Sequence, residues 1–241
     1  MVFIAISKSK RTDMSTLANV DIRTYRAENK CTGRTGAANE DISIIPKATN
    51  MQTGVSVEYV PDPNKDWYVM RASYGRERRA YKYMIEDGTY SYLPTHLVYK
   101  IKNEKRVCTE EVLVPNIIFV YTTREKADEY IKQTAQLSFL TYYYDHFSTE
   151  NGKNPPMVVP SNEMRNFMLA TCTESEHVRL VKPEQCHFKS GDPVRVIGGP
   201  FCGVEGRVAR LAGQQRVIVT ISGLCSVATA YIPSAFIETI E

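Results

Sequence analysis

The stretch Gly191-Asp192-Pro193-Val194-Arg195-Val196-Ile197, running into Gly199-Pro200-Phe201-Cys202-Gly203-Val204-Glu205-Gly206 and Arg207-Val208-Ala209-Arg210-Leu211, decides the fold of the last quarter of the chain. Short β-branched runs alternate here with glycine turns. Val194 and Val196 point to one side of a pleated strand and Arg195 to the other, and the same two-residue period returns in Val217, Val219 and Ile221. Gly203 and Gly206 allow tight turns between strands. Strands this short, separated by so many turn signals, predict a small closed β barrel.

Working upstream, Trp67-Tyr68-Val69-Met70-Arg71 reads as a strand, Ser73-Tyr74-Gly75 as a turn, and Arg76 to Ile85 as a helix with Ala80, Tyr83 and Met84 on one face. Leu113-Val114-Pro115-Asn116-Ile117-Ile118-Phe119-Val120-Tyr121 is an apolar strand entered through a proline, which suits a strand start or sheet edge. If Ile118 and Val120 face a core, Ile117, Phe119 and Tyr121 share the other face. After Asn151-Gly152-Lys153-Asn154-Pro155-Pro156, Ser161 stands as an N-cap for a helix carrying Met164, Phe167 and Met168. Val178 to Gln185 is short and proline-broken and reads as a tether.

The glycine pattern of the last quarter resembles the KOW motif, and the order of a W-Y-V strand, a basic helix, a strand led by a Pro-Asn turn and a KOW barrel resembles the NusG superfamily. The resemblance runs from about Trp67 to the end. Asn116 sits where the general elongation factor has glycine, which leans towards the specialised RfaH and UpxY-type antiterminators. Ile117 and Ser222 replace family aromatics. The implied fold is α+β: an antiparallel sheet with flanking helices (the NGN-like domain, residues 65–177), a linker at 178–185 and an all-β, SH3-like KOW barrel at 186–241. Residues 1–64 form an extension expected to be poorly ordered, although Ile42–Ile45 and Val55–Tyr59 carry strand-like composition.

Such a protein is implied to suppress pausing or termination by bridging the cleft of RNA polymerase, at specific long operons. The resemblance places polymerase contact on an apolar patch of Trp67, Tyr68, Leu113, Val114, Pro115, Ile117 and Phe119. Its basic helix, with Arg76, Arg78, Arg79 and Lys82, is implied to meet the non-template DNA strand or nascent RNA, and Tyr74, Tyr81 and Tyr83 are candidates to stack on unpaired bases. In the barrel, Phe201 is the candidate surface for a ribosomal protein or termination factor, with a buried corner aromatic as the alternative. The strand propensity of the barrel valines argues against refolding into helices.

The 241 residues have room for two small domains, and the formal charge of +3 is too small to coat nucleic acid except through a local surface. Cys31, Cys108, Cys172, Cys186, Cys202 and Cys225 contain no C-x-x-C pair and are expected as reduced structural thiols, with no metal site. The start Met1 to Ile6 is too short for a signal segment and no run approaches a membrane span, so the expectation is a cytoplasmic protein without membrane contact. No phosphate loop, nucleophile elbow or ligand cluster is visible, so no enzymatic activity and no cofactor are expected. The competing reading is a general KOW-containing RNA-binding or ribosome-associated protein, with Arg195, Arg207, Arg210 and Arg216 as its basic surface.

Overall fold

The computed structural model describes residues 45–102, 105–150, 152–172, 178–182, 187–211 and 213–240, with the side chains of 102 and 187–192 outside the description. All of them fall within one compact unit, Arg34–Glu241. Ile42, Ser43 and Ile44 of the strand-like stretch, together with Cys31 and Cys186, lie outside the described residues.

The chain enters through a short hairpin of β1 (Ala48–Asn50) and β2 (Val55–Val57). It was expected as the end of a loose extension, but it is packed: Ala48 and Asn50 are buried, and the Asn50 side chain donates to Glu86 Oε1 at 2.9 Å. Next come β3 (Asp66–Ala72), helix α1 (Glu77–Glu86), β4 (Ser91–Tyr92), a ribbon of β5 (Thr95–Lys102) and β6 (Lys105–Val112), and β7 (Ile117–Thr122). Helix α2 (Arg124–Lys132), β8 (Leu140–Tyr142), β9 (Val158–Val159) and helix α3 (Ser161–Thr171) follow.

An antiparallel sheet of order β4-β7-β3-β8, with β9 also pairing β3, organises this part; Trp67 sits opposite Tyr121 and Tyr68 opposite Val120. The sheet is buried on both faces. Tyr68, Met70, Ile118 and Val120 pack with Ala80 and Met84 of α1 and with Ala127 and Tyr130 of α2. Trp67, Val69, Ile117, Phe119 and Tyr121 pack instead with Met164, Phe167 and Met168 of α3. The alternation read from sequence is therefore present, but neither face is open. Ser161 is the first helical residue of α3 and makes no capping bond, because Pro160 occupies the N-cap position.

The C-terminal part is a six-stranded antiparallel sheet of β10 (Arg179–Val181), β11 (His187–Val196), β12 (Glu205–Leu211), β13 (Gln214–Ile221), β14 (Cys225–Ala228) and β15 (Ile237–Thr239), in the order β10-β14-β13-β12-β11-β15. Residues 179–181, expected in a tether, are a strand because they pair with Ser226, Val227 and Ala228, which buries Val181. Gly206 meets Ile218 so closely that a Cβ there would lie 2.3 Å from the Ile218 carbonyl oxygen. Cys202 is disulfide-bonded, against the expectation of a reduced thiol. Burial pushes the Cys225 thiol up to about 12.

Candidate functional site

The proposed apolar patch comes apart on the geometry. Trp67 and Tyr68 are neighbours on one strand and so point to opposite faces of the sheet, Trp67 into the cluster under α3 and Tyr68 into the cluster under α1 and α2. Trp67, Tyr68, Leu113, Val114, Ile117 and Phe119 are all buried, and Pro115 alone among the seven is exposed. Two elements cover the Trp67 face. From the N-terminal side, Tyr59 stacks on Trp67 at 5.6 Å and tilts over Tyr121 at 4.8 Å, while the Tyr121 hydroxyl donates to Asp62 O and accepts from Asp62 N at 2.7 Å. From the C-terminal side, Phe167 of α3 lies 5.4 Å from Phe119, and Thr171 and Tyr92 share a hydrogen bond of 2.7 Å.

Helix α3 is itself shared. Its Met164, Phe167 and Met168 face the first sheet. The neighbouring positions face the C-terminal sheet: Glu163 accepts from Ser222, and Asn166 Oδ1 accepts from Glu205 N at 2.9 Å. The buried core then runs on from α3 into Val194, Val196, Phe201 and Val204. Phe201 is 3% exposed, so the alternative reading of a buried corner aromatic describes it, because the Gly199–Cys202 turn folds the ring inward beneath α3.

The basic helix is differently placed. Arg76 caps α1, its Nε donates to Ser73 O at 3.0 Å, and its guanidinium sits 4.4 Å from the Phe139 ring and 5.4 Å from the Tyr74 ring. Arg79 lies 5.6 Å from the same Phe139 ring. Arg78 turns away to the ribbon, donating to Glu110 O at 3.1 Å and pairing with the Glu110 carboxylate at 3.6 Å. Lys82 is half-buried. The structure thus brings Arg76 and Arg79 together over Phe139 and assigns Arg78 to holding β6.

Of the three candidate stacking tyrosines, one is presented. Tyr81 is pinned by Thr49, whose N–H donates to its hydroxyl at 3.0 Å, and burial pushes its phenol up to about 12. Tyr83 meets Tyr130 edge-on at 6.4 Å. Tyr74 is 90% exposed and adopts φ 60°, ψ 38°. Asn116 also has a left-handed backbone, φ 62°, and its Oδ1 accepts from Gly75 N at 2.9 Å. That bond, between residues 41 positions apart, has no local sequence signal, whereas the left-handed φ does: Pro115-Asn116 forms the centre of a turn closed by Ile117 N donating to Val114 O, a pattern that needs positive φ at its second central residue.

The basic surface required by the ribosome-associated reading is half consumed. Arg195 binds Glu205 Oε1 through Nε at 2.9 Å and Nη2 at 2.6 Å, and Arg216 is buried with its Nη1 donating to Thr229 O. Arg207 and Arg210 are exposed. Among the described residues no group of three or more His, Cys, Asp and Glu side chains is placed to hold a metal ion, and no helix is long and apolar enough to cross a membrane.

Residues 65–168 match the family model NusG, described as transcription termination factor nusG. The matched segment begins one residue before β3 and ends within α3, so it contains the first sheet, α1, α2 and both left-handed residues Tyr74 and Asn116. No curated protein matches the chain.

Proposed function

We propose that this chain, which carries a NusG domain over residues 65–168, is a transcription elongation factor of the antiterminating kind, binding RNA polymerase and lengthening its processive state at specific long operons. The observation that carries the reading is the coincidence of the family match with an intact two-faced sheet led by Trp67-Tyr68-Val69 and closed by the Pro115-Asn116 turn. The protein acts by binding alone: it shifts polymerase between paused and elongating populations by no more than its differential affinity for the two.

Polymerase contact through the Trp67, Ile117 and Phe119 face requires α3 to lift from the sheet, since Phe167 lies against Phe119. Alanine at Ile117 or Phe119 is a poor test of that contact, because truncating a buried Phe costs about 3–5 kcal/mol of stability by itself. The informative variant is Glu163→Ala, which loosens the far side of α3 and leaves the sheet intact. Purified polymerase is captured on the immobilised full chain, and pause lifetimes are followed on a template with a defined pause. Capture by wild type, greater capture by Glu163→Ala and shortened pauses support the reading. Absence of capture by either protein sinks it.

The ribosome-associated alternative would show as co-purification with ribosomal particles through Arg207 and Arg210. It leaves the matched domain without a role.

A further inference from the structure

We propose that the cavity between strand β5 and the start of β10 is a binding site for a small phosphate-bearing ligand, held by Arg106, Arg179 and His96. The site is built by the ribbon and the C-terminal sheet, and it does not depend on the polymerase reading.

Among the described residues β5 pairs only with β6, and β10 only with β14, so each is an edge of its sheet. A cavity of about 310 Å³ lies between them, lined from β5 by His96 and Tyr99, from β6 by Arg106, and from the chain entering β10 by Val178 and Arg179. That volume is at the lower end of small-molecule sites, so it fits a compact group rather than a folded partner. The register sets Arg106 opposite Ile101, one diagonal step from Tyr99, and its guanidinium lies 4.1 Å from the centre of the Tyr99 ring. A guanidinium seated on a ring is already ordered, so less side-chain freedom is lost when an anion meets it. Arg179 is exposed and has no carboxylate partner among the described residues.

The charge balance selects the ligand. No carboxylate lines the cavity. Both carboxylates of β6 are already engaged, Glu110 by Arg78 at 3.6 Å and Glu111, which stands opposite His96, by Lys100. Close to Arg179 lies a further cation, Arg216, which burial and then Arg179 itself pull below the usual guanidinium range. Cations gathered in this way repel one another, and an anion among them relieves that repulsion. His96 adds direction: its Nδ1 is buried with no hydrogen-bond partner, a state that costs free energy until an oxygen reaches it. Guanidinium forks match phosphate oxygens, and two of them beside an imidazole suit a doubly charged phosphate better than a single carboxylate. Leu97 and Val178 supply an apolar wall for the body of an ester. Because the two arginines come from different sheets, an occupied site ties β10 to the ribbon.

The test titrates the full-length protein with inorganic phosphate and with phenyl phosphate by isothermal titration calorimetry in a phosphate-free buffer. Saturable binding is expected, with Arg179→Gln and His96→Phe each weakening it roughly tenfold. Arg179→Lys should lose less, since it keeps the charge without the fork. Lys153→Gln removes an exposed charge that does not line the cavity and should leave binding unchanged. Bound phosphate should also slow amide hydrogen exchange in β5 and in residues 178–181 together. Circular dichroism confirms that each variant is folded. Tighter binding of phenyl phosphate supports the proposal with an ester as the ligand, and equal binding supports it with the free ion. Equal losses in the Arg179 and Lys153 variants would reduce the effect to general charge attraction and overturn the proposal. Absence of saturable binding to the folded wild type, or protection of neither strand, overturns it as well. If a short single-stranded oligonucleotide binds through Arg179 while neither phosphate compound does, the surface is a nucleic-acid contact and the small-ligand proposal falls. Polymerase capture is read separately and is untouched by any of these results.

Discussion

Glu163 and Ser222 join the first sheet's covering helix to the C-terminal sheet: Ser222 N donates to Glu163 Oε2 at 2.8 Å, and Ser222 Oγ donates to Oε1 at 2.9 Å. Two donors on one carboxylate make this the most directional contact that α3 has with the second sheet. The pair is exposed, which limits its worth to about 0.5–1.5 kcal/mol. Glu163→Ala is therefore expected to lower the urea midpoint modestly and to raise amide hydrogen exchange in α3 before exchange rises in β3 and β7. Uniform protection in the variant would mean that the buried core beneath α3, rather than this pair, holds the helix down.

Gly206 is a sharper case. A Cβ there would sit 2.3 Å from Ile218 O and 2.8 Å from a Val217 methyl, and neither the carbonyl of a paired strand nor a core valine can withdraw. Gly206→Ala should cost at least the ~1–3 kcal/mol typical of overpacking, through separation of β12 from β13. Gly213→Ala, with φ 77° but open space around it, is the matched control and should cost about 1 kcal/mol. Equal midpoints for the two variants in urea unfolding would contradict the close approach.

The strands and α1 were legible because their signals are local. The alternation of Trp67 to Arg71 and the Ala80/Met84 spacing fix which side chains share a face. What covers each face depends on partners far along the chain. Ile117-Ile118-Phe119-Val120-Tyr121 is an unbroken apolar run, which is how a strand buried on both sides reads, and that feature already spoke against an open patch. The second role of α3 was hidden because Glu163 and Asn166 look like ordinary solvent-facing helix residues until Ser222 and Glu205 are brought to them. The packing of residues 45–64 was hidden for the same reason: it depends on the hydroxyls of Tyr81, Tyr90 and Tyr121 meeting backbone groups 32 to 59 positions away. The Pro115-Asn116 pair marks the turn, but the bond from Gly75 N to Asn116 Oδ1 follows from the fold alone.

Acid should weaken the fold through the α2 side of the sheet. The Tyr130 hydroxyl, donating at 2.7 Å, and then the Lys126 ammonium hold Asp87 below the usual carboxylate range; Tyr142 and Lys132 do the same for Asp128. A carboxyl with a depressed folded value adds stability above its unfolded value of about 3.9, and that contribution is lost as pH falls below this towards the folded value. Both groups are largely solvent-screened, so each is worth under about 1 kcal/mol. Asp87→Asn should lower the midpoint slightly at neutral pH and flatten the decline below pH ~4. Parallel acid curves for wild type and variant would show that Asp87 is not a source of the decline.

Alkali should loosen the N-terminal hairpin through Tyr81. The Tyr81 hydroxyl accepts from Thr49 N at 3.0 Å and donates to Thr49 O at 3.3 Å, so ionisation removes its proton and with it the donated bond. Burial raises this phenol to about 12, against about 10 in an unfolded chain. A raised folded value means that the contribution is complete below pH ~10 and is lost as pH climbs through the folded value. Amide exchange at Thr49 should therefore accelerate over that window more than exchange in β3, whose hydrogen bonds do not involve this phenol. Tyr81→Phe removes both bonds at every pH, which should cost about 1 kcal/mol at neutral pH and abolish the selective alkaline step at Thr49. If Thr49 exchange rises equally in the variant as the pH climbs, another phenol releases the N-terminal segment; Tyr121, whose hydroxyl holds both Asp62 N and Asp62 O, is the first to replace, since burial pushes Tyr90 up much further.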